Sequence, residues 1–209
     1  MDAVLVPVKH LDASKLRLDP ALGAWGRRRL ALAMLGDVLR AAAPWPMRVL
    51  VTPDAVVADV ARTAGWQVLH DPGRGLNAAL WAGTALAVEQ GASALAVLPF
   101  DVPLVSPADL EALFAARASV VVVPSEDGGT GALLRRPAQV IATRFGEASA
   151  AAHTAAAQAA GVAVETLHLA GLALDIDDLD DLRRLAASPS EAASARVARE
   201  LLSAGAPPG

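Results

Sequence analysis

Short runs of aliphatic and β-branched residues alternate along the chain with longer, alanine-rich segments in which apolar positions recur every three or four residues. This is the pattern of βαβ units, whose parallel strands are buried on both faces and read as unbroken apolar runs, while the crossover helices read as amphipathic. It predicts strands near 3–8, 48–52, 66–70, 94–100, 119–124 and 163–168, with Ala132-Leu133-Leu134 as one further strand. Helices are predicted near 26–43, 54–64, 76–90, 107–117, 147–160, 178–187 and 190–204, with Asp54 and Ser106 as N-caps and Pro107 at a first helical position. The expected architecture is α/β: a single domain over 1–204, three-layered around a mostly parallel central sheet, followed by a disordered tail at 205–209.

Composition narrows the function. A chain of 209 residues can bury one sizeable α/β core. Its 54% hydrophobic content is inflated by alanine, and no apolar stretch approaches the roughly eighteen residues of a membrane span. Met1 leads straight into a strand-like segment without the basic region and cleavage site of a secretion signal, so a cytoplasmic location is expected. The absence of cysteine removes disulfides, thiolate metal sites and cysteine nucleophiles. A formal net charge of −4 and the lack of tyrosine argue against a nucleic-acid partner, which would need a basic footprint and stacking surfaces. A homodimer is compatible with the sequence, which leaves the oligomeric state open.

Four segments carry candidate chemistry. The run Leu95-Ala96-Val97-Leu98-Pro99-Phe100 stops at Asp101, which places this carboxylate at a strand's C-terminal tip, where open α/β sheets bind ligands. In Leu174-Asp175-Ile176-Asp177 the two carboxylates alternate with apolar residues and share one side of an extended segment, whereas Asp178, Asp180 and Asp181 suit the dipole of a helix start. Carboxylates meeting across the crevice would form an all-oxygen site for a hard cation, the kind on which nucleotides and phosphates depend. Lys9 and Lys15 are the only lysines, and with Arg17 they lie on the loop leaving the first strand, above the same crevice. They could hold a polyphosphate or form a solvated basic loop. Gly73, Gly75 and Asn77 mark a turn into a helix, either a nucleoside site or a tight connection capped by Asn77. Thr130, Gly146, Ser149 and His153 gather around a glycine-rich loop and a helix start that could take a second phosphate, with Ser149 alternatively a simple cap and His153 a surface histidine.

In order along residues 4 to 186, the segments PVK with SKLRL, AMLGDVL, VTPD, DPGRGLNAAL, LPFDVPLV, GGTGALL, FGEAS with a following His, and DIDDLDDL resemble the guanylyltransferases that make the precursor of the deazaflavin coenzyme F-420 from 2-phospho-L-lactate or phosphoenolpyruvate. The resemblance implies a Rossmann-like, GT-A-like nucleotidyltransferase that transfers GMP from GTP to a small phosphorylated carboxylic acid. It implies Mg²⁺ on Asp101 and Asp177, with Asp175, and Lys15 and Arg17 against the triphosphate. Lys9, Ser14, Gly75 and Asn77 would line the nucleotide, and Thr130, Gly146 and Ser149 the acceptor phosphate. The family ending D-x-D-T-P-D-D-L here lacks its Thr-Pro pair, which loosens the metal-ligand register. The alternatives are a molybdopterin or sugar-phosphate nucleotidyltransferase, or a nucleotide-binding protein without catalysis.

Overall fold

The computed structural model describes residues 1–71 and 73–204, and the apolar runs are its strands. They are β1 (Asp2–Pro7), β2 (Met47–Thr52), β3 (Gln67–His70), β4 (Ala94–Val97), β5 (Val120–Pro124), β6 (Thr130–Arg135) and β7 (Val164–Thr166). The helices are α1 (Asp19–Ala41), α2 (Ala55–Thr63), α3 (Leu76–Glu89), α4 (Pro107–Ala115), α5 (Ser149–Ala159), α6 (Ala170–Ala173), α7 (Leu179–Ala187) and α8 (Ala193–Ala204). The seven strands form one sheet in the order β3-β2-β1-β4-β6-β5-β7. Only β6 runs against its neighbours, because residues 125–129 return the chain directly beside β5 instead of crossing over through a helix. The expected tail at 205–209 lies outside the described residues.

The period-two alternation of each strand divides the core. Val4, Val6, Leu50, Ala96, Val121, Val123 and Leu134 face one side and pack with α1, α2, α4, α7 and α8. Ala3, Leu5, Val49, Val51, Leu95, Val97, Val122 and Leu133 face the other and pack with α3 and α5. The strand side chains in both layers are fully buried and aliphatic, each valine or leucine contributing on the order of 1.5–3 kcal/mol of transfer free energy, which explains why the strand runs carry no polar face.

Three departures from the predicted elements have local causes. The strand predicted to reach residue 100 ends at Val97: Leu98 still donates its N–H to Leu5 O (3.0 Å), but Pro99 has no N–H to extend the ladder. Helix α1 starts at Asp19, earlier than predicted, and bends at Gly23 (φ 60°, ψ 176°), a conformation that glycine adopts without strain. The short α6 carries too few residues to show a helical period. Asp54 and Ser106 do cap α2 and α4, and Ser106 forms a reciprocal box with Asp109.

Helix α6 matters because it leads into the late acidic segment, and β6 passes directly beneath it. A Cβ on Gly131 would collide with the carbonyl oxygen of Leu172. Gly131→Ala is therefore expected to lower stability by about 2–3 kcal/mol in a urea titration, since backbone rather than a flexible side chain must move. A loss below about 0.5 kcal/mol would show that this close approach does not constrain the segment.

Candidate active site

Asp101 lies beyond β4 on the turn that leaves the sheet, and its main chain receives the other acidic segment: Ile176 N–H donates to Asp101 O at 3.1 Å. Leu174 and Ile176 are buried, so their alternating neighbours Asp175 and Asp177 turn toward the crevice. Asp178 and Asp181 hold the tip in place. Asp178 Oδ1 accepts from the N–H groups of Asp180 and Asp181, and Asp181 Oδ2 accepts from those of Asp177 and Asp178. These two carboxylates serve the helix start, leaving Asp175 and Asp177 for the site.

Lys15 fills the space between the strand tip and the acidic segment. Its Nζ donates to Asp101 Oδ2 and, at 2.6 Å, to Asp177 Oδ1, while its side chain is only 4% exposed. The residue takes a left-handed backbone conformation (φ 56°) and its ammonium lies 5.7 Å from the Phe100 ring centroid. Burial by itself would push this lysine down; the charges of Asp101 and Asp177 and their hydrogen bonds outweigh it and hold the pKa above the ordinary value. Asp175 is left without a cation. Burial, followed by the charges of Asp101 and Asp127, pushes its carboxyl up to about 7.

The loop bearing Lys15 is tied down from below. Asp54, whose other oxygen caps α2, accepts the Leu11 N–H at 3.1 Å, and buried Arg27 donates to Ser14 O at 2.7 Å and to Asp19 at 2.7 Å. The sequence marks Asp54 only as the cap of α2 and does not single out Arg27, because the hold of each on this loop depends on residues elsewhere in the chain. Lys9, Ser14 and Lys15 line a cavity of about 290 Å³ together with Phe100 and Asp101. Ser14 Oγ is itself engaged, donating to Leu11 O at 2.7 Å. Arg17 is exposed on the following turn and lines neither this cavity nor its neighbour.

The neighbouring cavity, about 270 Å³, is bounded by Thr130, Gly146, Ser149, Asp127, Asp175 and Asp177. The two share Leu76, Pro99, Asp101 and Phe145, so they meet at the carboxylate. Thr130 Oγ1 lies 2.8 Å from Ser149 Oγ and 3.1 Å from His153 Nδ1, all three residues being buried. Asp127, not singled out in the sequence, receives the Ser125 hydroxyl and the Gly129 N–H, which hold its carboxyl below the ordinary value.

Asn77 does something else than cap a helix. Its Nδ2 donates to Phe145 O at 3.0 Å and its Oδ1 accepts from Phe145 N–H at 2.9 Å, clamping the loop between the two cavities. The N-cap of α3 is Gly75, with φ 95° and no side chain to cap with. A larger cavity of about 500 Å³ lies against Asn77, the exposed Trp81 and the buried Arg135, and touches none of the carboxylates. Among the described residues no three His, Asp or Glu converge closely enough to hold a metal by themselves, and no helix is long and apolar enough to cross a membrane.

Residues 2–202 match the family model described as "Guanylyl transferase CofC like". The chain is 41% identical to the phosphoenolpyruvate guanylyltransferase of Rubrobacter xylanophilus over 88% of its own length and 93% of that protein. It is 35% identical to the 2-phospho-L-lactate guanylyltransferase of Methanothermobacter thermautotrophicus (85% and 81% covered) and 32% identical to the 3-phospho-D-glycerate guanylyltransferase of Colwellia psychrerythraea (88% and 90% covered). Among solved structures it superposes on a protein from Desulfovibrio desulfuricans G20 described as a nucleotide-diphospho-sugar transferase, with a TM-score of 0.79 over 98% of this chain and 97% of that one, at 18% identity. At that identity the likeness speaks for the nucleotidyltransferase fold alone.

Proposed function

The chain belongs to the CofC-like guanylyl transferase family, and from that premise we propose that it transfers the GMP unit of GTP to the phosphate of a small phosphorylated three-carbon acid, releasing pyrophosphate, in the assembly of coenzyme F-420 in the cytoplasm. Phosphoenolpyruvate is the first candidate acceptor, with 2-phospho-L-lactate and 3-phosphoglycerate as the others, after the relatives named for them. The observation that carries the reading is the pair of cavities meeting at Asp101. One, edged by the basic loop, suits a nucleotide. The other, edged by hydroxyls and the start of α5, suits a second phosphorylated molecule.

The chemistry asks little of the protein in the way of proton transfer. A phosphomonoester has its second pKa near 6, so at neutral pH the acceptor is largely a dianion. One of its oxygens attacks the α-phosphorus of GTP as the bond to the β-phosphate oxygen breaks, and pyrophosphate leaves with that electron pair. No nucleophilic side chain or general base is required. The residues must instead align two anions and offset their repulsion. Lys9 and Lys15 would face the polyphosphate, while Thr130, Ser149 and the start of α5 would hold the acceptor.

The donor set fits a magnesium ion. Two carboxylates already converge on one cation, the Lys15 ammonium, and a third, Asp175, is crowded by negative charge with nothing to balance it. Asp101 and Asp177, with Asp175 beside them, would hold Mg²⁺, and substrate phosphate oxygens would complete a shell that the protein alone does not supply. Bound there, the ion supplies positive charge where the two phosphoryl groups meet. The test is pyrophosphate release from GTP, CTP or UTP with each of the three acids and magnesium. GTP with phosphoenolpyruvate should give turnover and a diphosphate product by phosphorus NMR. Activity with CTP or UTP alone would favour another nucleotidyltransferase, and nucleotide binding without pyrophosphate release would favour a silent binder.

A further inference from the structure

A hydrogen-bonded chain runs from the Arg144 backbone to the acceptor cavity, and its polarity is set at the far end. Arg144 N–H donates to His153 Nε2 at 2.8 Å. A backbone amide can only donate, so Nε2 is the unprotonated nitrogen of the ring. Burial, followed by the charges of Arg135 and Arg144, pushes the His153 pKa down to about 4, so the ring is neutral at physiological pH. Its one proton therefore sits on Nδ1, which faces Thr130 Oγ1 at 3.1 Å and donates to it.

Thr130 and Ser149 together carry two hydroxyl protons, and one of them makes the 2.8 Å bond between the two oxygens. Since His153 donates into this pair, it accepts no proton from it. Among the described residues the remaining hydroxyl proton meets no acceptor, and both hydroxyls line the cavity beside Asp101. The opposite tautomer would reverse this: Nδ1 would accept one hydroxyl proton, the mutual bond would use the other, and the cavity would be shown only lone pairs. An anion would then be repelled.

We propose that His153 is a positioning residue that makes the Thr130–Ser149 pair an obligate hydrogen-bond donor, selecting an acceptor substrate that presents a deprotonated phosphate or carboxylate oxygen. This rests on the function proposed above and names a group that specifies its acceptor. His153 touches no substrate itself; it acts through Thr130.

Two substitutions separate this role from a structural one. In His153→Asn the amide nitrogen falls near the place of Nδ1, keeping a donor for Thr130 while losing the bond to Arg144. In His153→Gln the side-chain amide reaches the place of Nε2, keeping an acceptor for Arg144 while losing the donor to Thr130. His153→Gln is expected to raise the KM for phosphoenolpyruvate about tenfold with the KM for GTP within about twofold of wild type, as loss of one hydrogen bond to a charged group would. His153→Asn should keep the phosphoenolpyruvate KM near wild type even though its melting temperature falls. The reverse order, or an acceptor KM that follows the melting temperature in both variants, would overturn the proposal.

A measurement on the unaltered protein stands apart from activity and from any folding defect. With ¹⁵N-labelled histidine, the His153 signals are identified by their loss in either variant from the spectrum of the four histidines. The Nδ1–H neutral tautomer at pH 7 is the expected result, and an Nε2–H ring or an imidazolium would overturn the relay. Failure of wild-type protein to transfer GMP to any of the three acids would instead count against the parent reading, and would be seen before a variant is made.

Discussion

Asp101→Asn should lower kcat by about three orders of magnitude while leaving the unfolding midpoint within a few degrees of wild type. The rate loss corresponds to about 4 kcal/mol of transition-state stabilisation, at the upper end of what one preorganised electrostatic partner supplies. The fold should survive because the structural duty of Asp101 is carried by its backbone: the Ile176 N–H binds its carbonyl oxygen, which the substitution keeps. The Asn oxygen can still accept from Lys15, whose second partner, Asp177, remains. Steady-state pyrophosphate release and a thermal melt check both halves. A kcat within a few-fold of wild type would remove Asp101 from the reaction, and a cooperative loss of fold would make it structural.

Lys15→Met should reduce kcat/KM by about a hundredfold and make the protein more responsive to magnesium. The methionine fills similar space but leaves Asp101 and Asp177 without their shared ammonium, beside an Asp175 already pushed up by burial and like charge. With the lysine head buried but Asp177 half-exposed, the stability loss should be about 1–3 kcal/mol, below that of a fully buried pair. Added Mg²⁺ should restore more of the melting temperature in the variant than it adds to wild type, because a ligand that binds only the native state stabilises it. Equal responses would mean that lysine and metal do not share the carboxylates.

Much of the fold was legible because a buried parallel sheet leaves a strong signal: strands such as β1, β4 and β5 are apolar on both faces and cannot be read as amphipathic helices. The carboxylates were legible for a related reason. Asp101 interrupts an apolar run, and Asp175 and Asp177 alternate with buried residues where Asp178 and Asp181 do not. What the sequence concealed depends on side chains meeting across long separations. Lys15 could be read as a phosphate contact, but its place between Asp101 and Asp177 requires a left-handed turn and a loop anchored by Asp54 and Arg27. Asn77 looked like a cap or a base reader because its partner, the Phe145 backbone, lies 68 positions away. The antiparallel course of β6 was equally hidden, since an apolar run does not disclose its direction.

The most direct measurement is a crystal structure with Mg²⁺ and a non-hydrolysable GTP analogue. The expected result is a metal within about 2.0–2.1 Å of oxygens from both Asp101 and Asp177, with the Lys15 ammonium moved from between them onto the nucleotide's phosphates. Contradiction would be a metal bound away from this carboxylate pair, or a bound nucleotide with Lys15 still bridging the two carboxylates and no ion beside them.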